Sequence, residues 1–113
     1  MGRDDTTLLD IARAARLIVE FTAGITKEAF LKDLKTQSAT LHQLVVMGEA
    51  VKRLSTEFRD QNPDISWSLI AGMRDHLIHA YDAVDLGQVW KTATQDVMDL
   101  LAKVEPLLPK ESK

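Results

Sequence analysis

The sequence contains no cysteine, only 3 prolines and 5 glycines, 5% aromatic residues, and no long apolar run. Each shortage excludes something. Without cysteine there is no disulfide framework, no thiol nucleophile and no Cys-bearing zinc site, which suits a reducing cytoplasm. So little glycine and proline leaves too few turns for a small all-β fold. The longest apolar stretches, such as Leu44 to Gly48, break after five residues, far short of the ~20 that cross a bilayer. No basic-then-apolar leader opens the chain, so a cytoplasmic protein with no membrane association is expected. An excess of basic residues is also missing: Lys+Arg is 14 against 17 Asp+Glu, a net charge of -3. A protein that grips nucleic acid by a general basic face is thereby disfavoured, whereas a local basic site is not.

What is present is a helical pattern. With 45% hydrophobic and 27% charged residues over 113 positions, the composition is that of one globular domain spanning 1–113. Leu8, Ile11, Ala12, Ala15, Ile18, Val19 and Thr22 recur at spacings of three and four, predicting a helix capped by Thr7 and closed near Gly24. Thr26 opens a short helix carrying Phe30. Leu41, Leu44, Val45, Gly48, Val51, Leu54 and Phe58 predict a long helix from about Gln37 to Arg59, ended by Asn62-Pro63-Asp64. Gly48 in its middle implies close approach of another helix or a ligand. Ser66 is the next N-cap, with Ile65 and Ile70 as a hydrophobic staple, and Asp85 caps a final helix whose face runs Val89, Trp90, Ala93, Val97, Leu100, Leu101, Val104 and Leu108. The expected fold is all-α, an up-and-down bundle of four to five helices.

Chemistry-bearing side chains concentrate between Met73 and Asp82, which hold two of the three histidines, an arginine, the only tyrosine and two carboxylates. Arg74 and His79 are five residues apart, separated by roughly 140° around an ideal helix. They can flank a groove, or converge with a second copy across a dimer axis. Arginine brings a permanent charge and a donor fork matched to phosphate, and histidine exchanges a proton near neutral pH. That pair suffices for phosphodiester cleavage without a metal. The same residue types also complement a helix C-terminal dipole, and spacing alone leaves both uses open. His76 and His79 with Asp75 or Asp82 can be drawn as a metal site, but no third histidine or zincin motif completes a shell, so neither metal nor cofactor is expected. His42 reads as a polar helix position, and Trp67 and Trp90 as core or interface residues.

The run Arg74-Asp75-His76-Leu77-Ile78-His79-Ala80-Tyr81 fits R-x-x-x-x-H-x-Y. With Ile65-Ser66-Trp67, Gly72-Met73, Val84-Asp85-Leu86 and Val46 to Ser55 around it, the segment from Lys32 to Pro109 resembles the HepT-type toxins of the HEPN superfamily. The resemblance implies a homodimeric helical bundle in which two motifs line one composite cleft. It also implies a metal-independent endoribonuclease, the toxin of a prokaryotic pair of type II/VII-like character. Arg74 and His79 match the catalytic positions, with Asp75, Glu49 and Arg53 supporting. The implied partner is an MNT-type nucleotidyltransferase antitoxin that transfers AMP to the motif tyrosine, here Tyr81. A noncatalytic helical module that docks on a nucleotidyltransferase is the competing reading, and RNA cleavage by purified dimer separates the two.

Overall fold

Amphipathic periodicity yields helices throughout the computed structural model, which describes residues 2–109 apart from the side chain of Tyr81. Met1 and residues 110–113 of the expected domain lie outside the described residues. The elements in order are α1 (Arg3–Thr22), α2 (Lys27–Phe30), α3 (Leu34–Arg53), α4 (Thr56–Gln61), α5 (Trp67–His79), a 3-10 turn (Tyr81–Ala83), α6 (Leu86–Lys91), a π turn (Thr92–Asp96), α7 (Val97–Val104) and a closing 3-10 turn (Glu105–Leu107). The fold is all-α, and no strand occurs among the described residues. Four rods do the packing: α1 lies along α3, α3 along α5, and α7 returns against α1. α6, the π turn and α7 run as one rod with helical backbone angles at both joints.

Each rod contributes one stripe to a common core. Leu8, Ile11 and Ile18 of α1 meet Leu44, Met47 and Val51 of α3, and Val89, Val97 and Val104 close the far side. Phe30 is fully buried and packs on Trp90, ring centroids 5.2 Å apart, so the short α2 plugs one end. Trp67 is buried against Phe58 at 6.1 Å, and its Nε1–H donates to the carbonyl of Asn62 at 3.1 Å. Both tryptophans are packing residues, as their positions on apolar stripes imply.

The boundaries differ from the expected ones where a side chain competes with the backbone. α1 starts at Arg3, not after Thr7: the Thr7 hydroxyl donates to the Arg3 carbonyl within the helix, so it is a helical residue and not a cap. The long helix expected over 37–59 is two. Asp33 caps α3 four residues early, accepting from Thr36 N–H and hydroxyl, and Thr36 holds its carboxyl below the usual range. At the other end Leu54 leaves helical geometry and the Ser55 hydroxyl caps α4 by accepting from Phe58 N–H at 3.1 Å. Ser55 in turn donates its hydroxyl and N–H to Asp4, tying α1 to this corner and depressing the Asp4 pKa. The hydrophobic stripe continues across the break because Leu54 is buried there, which is why periodicity alone ran the two helices together. Ser66 does precede α5, yet its side chain makes no capping bond. Thr26 and Asp85 cap as expected. No sequence pattern marks the π turn; its looser winding keeps Val89, Ala93 and Val97, each four residues from the last, on the core face.

Ser55→Ala removes the α4 cap and the hydroxyl bond to Asp4 while leaving the backbone N–H bond in place, and is expected to lower unfolding stability by about 1 kcal/mol, read from the midpoint of a urea titration at unchanged slope.

Candidate active site

A backbone constraint places the first functional side chain. Gly48 of α3 faces α5, and a Cβ added there would stand 2.2 Å from the Cβ of Arg74 and 3.1 Å from the carbonyl oxygen of Ile70. Only glycine permits such an approach. The neighbour implied by Gly48 is therefore α5 of the same chain, whose Arg74 fills that space.

Held this close, the Arg74 side chain lies against α3. Its Nη2 donates to Glu49 Oε1 at 3.0 Å and its Nη1 to Asp75 Oδ1 at 2.9 Å. Lys52, one turn beyond Glu49, donates to the same Asp75 oxygen. Arg74 is only 23% exposed, and its Nε is buried with no hydrogen-bond partner among the described residues. The Lys52 ammonium, then the Arg74 guanidinium, hold the Asp75 carboxyl below the usual carboxylate range. Asp75 first and Glu49 second raise the Arg74 pKa further. Asp75 thus stays an ionised, acceptor-only group at physiological pH.

His79 is the last residue of α5 and is exposed. Its Nδ1 lies 2.8 Å from the carbonyl oxygen of Asp75. A carbonyl only accepts, so Nδ1 carries the hydrogen in this bond, and in the neutral ring Nε2 keeps a free lone pair. Asp75 therefore touches both halves of the motif, Arg74 through its carboxylate and His79 through its backbone. Arg74 and His79 do not hydrogen-bond to each other, in keeping with their separation around the helix.

Of the supporting residues, Glu49 and Asp75 join the cluster. Arg53 does not: it turns to Asp10 of α1 at 3.5 Å, and the second cation of the cluster, beside Arg74, is Lys52. Glu49 lies three residues from Lys52 and four from Arg53, spacings that put both cations on its side of a helix. Which one meets the motif depends on where α5 crosses α3. Tyr81 opens the turn after α5; its side chain lies outside the described residues. His42 is exposed on α3. Among the described residues no group of three or more potential metal-binding side chains is brought together. A cleft of about 620 Å3 lies away from the charged cluster, between α5 and the α6–α7 rod, lined by Met47, Leu69, Met73, His76, Thr92 and Leu100 among others.

This arrangement can be set beside known proteins. The family model described as ribonuclease HepT-like matches residues 11–107. The chain belongs to that family. Among its relatives, a probable ribonuclease HepT of Thermococcus cleftensis is 47% identical over 100 residues, covering 88% of this chain and 91% of the relative. A putative RNase of Caldanaerobacter subterraneus subsp. tengcongensis is 38% identical, covering 89% and 90%. A putative RNase of Methanocaldococcus jannaschii is 36% identical, covering 89% and 84%. No solved structure gives a significant match. As a HepT-like ribonuclease family member the chain carries its Arg74, His79 and Tyr81 within the matched span, and no described helix is long and apolar enough to cross a membrane.

Gly48→Ala should force α3 and α5 apart. The expected loss is roughly 1–3 kcal/mol of stability, measured by thermal melting, accompanied by a changed chemical shift of the Arg74 side-chain N–H groups.

Proposed function

We propose that this chain is a metal-independent endoribonuclease acting as the toxin of a cytoplasmic toxin–antitoxin pair, with Arg74 and His79 as its catalytic residues. The observation that carries the reading is the geometry around Asp75: a clamped guanidinium and an imidazole with a free Nε2, both referred to one residue of a HepT-like chain. In the reaction His79 Nε2 takes the proton of a ribose 2′-hydroxyl. The 2′-oxygen forms a bond to phosphorus, the bond to the 5′-oxygen breaks, and a histidine returns a proton to that leaving oxygen. Arg74 meets the charge that builds on the non-bridging oxygens. The products are a 2′,3′-cyclic phosphate and a 5′-hydroxyl.

A homodimer supplies the second histidine. Support for it lies on the side of α5 where Gly72 has open space above it and Ser68 and His79 are exposed. Leu69 is 72% exposed and Ile78 42% exposed on the same helix, apolar surface that a partner would cover. The docking-module reading draws on the apolar cleft beside α5, and a chain that binds a nucleotidyltransferase without cleaving RNA would favour it.

Wild-type protein is expected to sediment as a dimer at micromolar concentration and to cleave total cellular RNA with EDTA present. Arg74→Ala and His79→Ala should each reduce cleavage by ~10²- to 10⁴-fold. Full cleavage by His79→Ala, combined with complete inhibition by EDTA, would replace this scheme with metal-dependent chemistry.

The proposed antitoxin is an MNT-type nucleotidyltransferase that transfers AMP from ATP to the Tyr81 hydroxyl. Tyr81 follows His79 by two residues, so the adduct would set a phosphodiester charge and an adenosine beside the site an RNA phosphate must enter. Intact-mass measurement after incubation with antitoxin, ATP and Mg²⁺ should show AMP on the wild-type chain and none on Tyr81→Phe; equal addition to both excludes Tyr81 as the acceptor.

A further inference from the structure

Two cations from different helices end on one oxygen. Lys52, in the last turn of α3, and Arg74, in α5, both donate to Asp75 Oδ1. An ammonium and a guanidinium that converge on a single carboxylate oxygen are placed to converge equally on a non-bridging phosphate oxygen, since both are charge-assisted donors with the same acceptor preference. The carboxylate can give way. Asp75 is 44% and Lys52 42% exposed, so exchange of one anionic oxygen for another occurs at solvent, where ion pairs are weak. Arg74 need not move, because Glu49 retains its other arm.

The local charge count agrees. Glu49 and Asp75 bring two negative charges and Arg74 one positive, so without a second cation the cluster would repel a phosphate. Lys52 brings it to neutrality, and it does so on a flexible stem that can follow the incoming group. In a chain of net charge -3 no general basic surface substitutes for it. The geometry points to Lys52 as a second phosphate-binding residue beside Arg74, with the Asp75 carboxylate holding the place of a phosphate oxygen in the free protein. This assignment rests on the ribonuclease reading and adds a residue to its substrate site.

The test measures binding apart from cleavage. Full-length protein carrying His79→Ala is titrated, with EDTA, against a fluorescein-labelled single-stranded RNA by anisotropy at several salt concentrations. Adding Lys52→Met should weaken binding about tenfold at low salt and flatten the log–log salt slope by about 0.7 for each site occupied. Lys52→Arg should restore both. If Lys52→Met does not fold, as judged by thermal melting, Lys52→Gln carries the same measurement. An unchanged salt slope in a folded charge-removing variant overturns the assignment of Lys52 and leaves the ribonuclease reading standing. Failure of the His79→Ala parent to bind RNA at any salt overturns both together.

Discussion

At Gly48 the backbone of α3 presents no side chain, and Arg74 of α5 takes the vacant space. Everything charged in the site follows from that approach. With the helix axes this close, the guanidinium cannot extend freely into solvent and lies along α3, where Glu49 receives it, while Lys52 reaches across to Asp75. The direction of causation matters. Glu49, Lys52 and Asp75 are each close to half exposed, and ion pairs in that setting contribute little net stability because water competes for both partners. Packing at the glycine positions the charges; the charges do not hold the helices.

α5 divides its surface among three tasks. Trp67 and Leu77 are buried, and Arg74 on the same side meets α3. Leu69, Met73 and His76 line the cleft toward the α6–α7 rod. Asp75 and His79 emerge on the remaining side. A helix of 13 residues can do this because its turns repeat every 3.6 residues, so five-residue spacing carries His79 out of the α3 contact that clamps Arg74. One half of the motif is thus rigid and sheltered and the other half solvent-facing, with Asp75 linking them through its side chain and its carbonyl.

Such a site suits an acidic protein. Electrostatic attraction for a nucleic-acid backbone ordinarily comes from many basic contacts summed over a surface, which a chain of net charge -3 does not offer. In the proposed site the two cations that converge on Asp75 Oδ1 would supply instead a local preference for an oxyanion, tempered by the carboxylates in the free protein. The chain belongs to the HepT-like ribonuclease family, with relatives at 36–47% identity along most of their length.

Scarce glycine and proline together with hydrophobic periodicity determined the all-α class and the stripes that form the core, and residue type at the helix starts determined the capping roles of Thr26 and Asp85, because all of these depend on sequence within a few turns. Spacing and residue type alone left Arg74 and His79 open between catalysis and helix-dipole complement; it is the resemblance to HepT-type toxins that singles out Arg74, His79 and Tyr81. Other features depended on contacts across the fold. Ser55 breaks the long helix with Asp4, 51 residues away, bonded to its cap, and no local pattern records that partner. Gly48 announced a close approach but could not name the helix that makes it. The resemblance assigns Arg53 to the motif beside Glu49, but the crossing of α3 by α5 turns Lys52 to Asp75 and leaves Arg53 to Asp10 of α1. Side chains one residue apart on a helix point about 100° from each other, so a small rotation of the packing angle exchanges their partners, and only the tertiary structure fixes that angle.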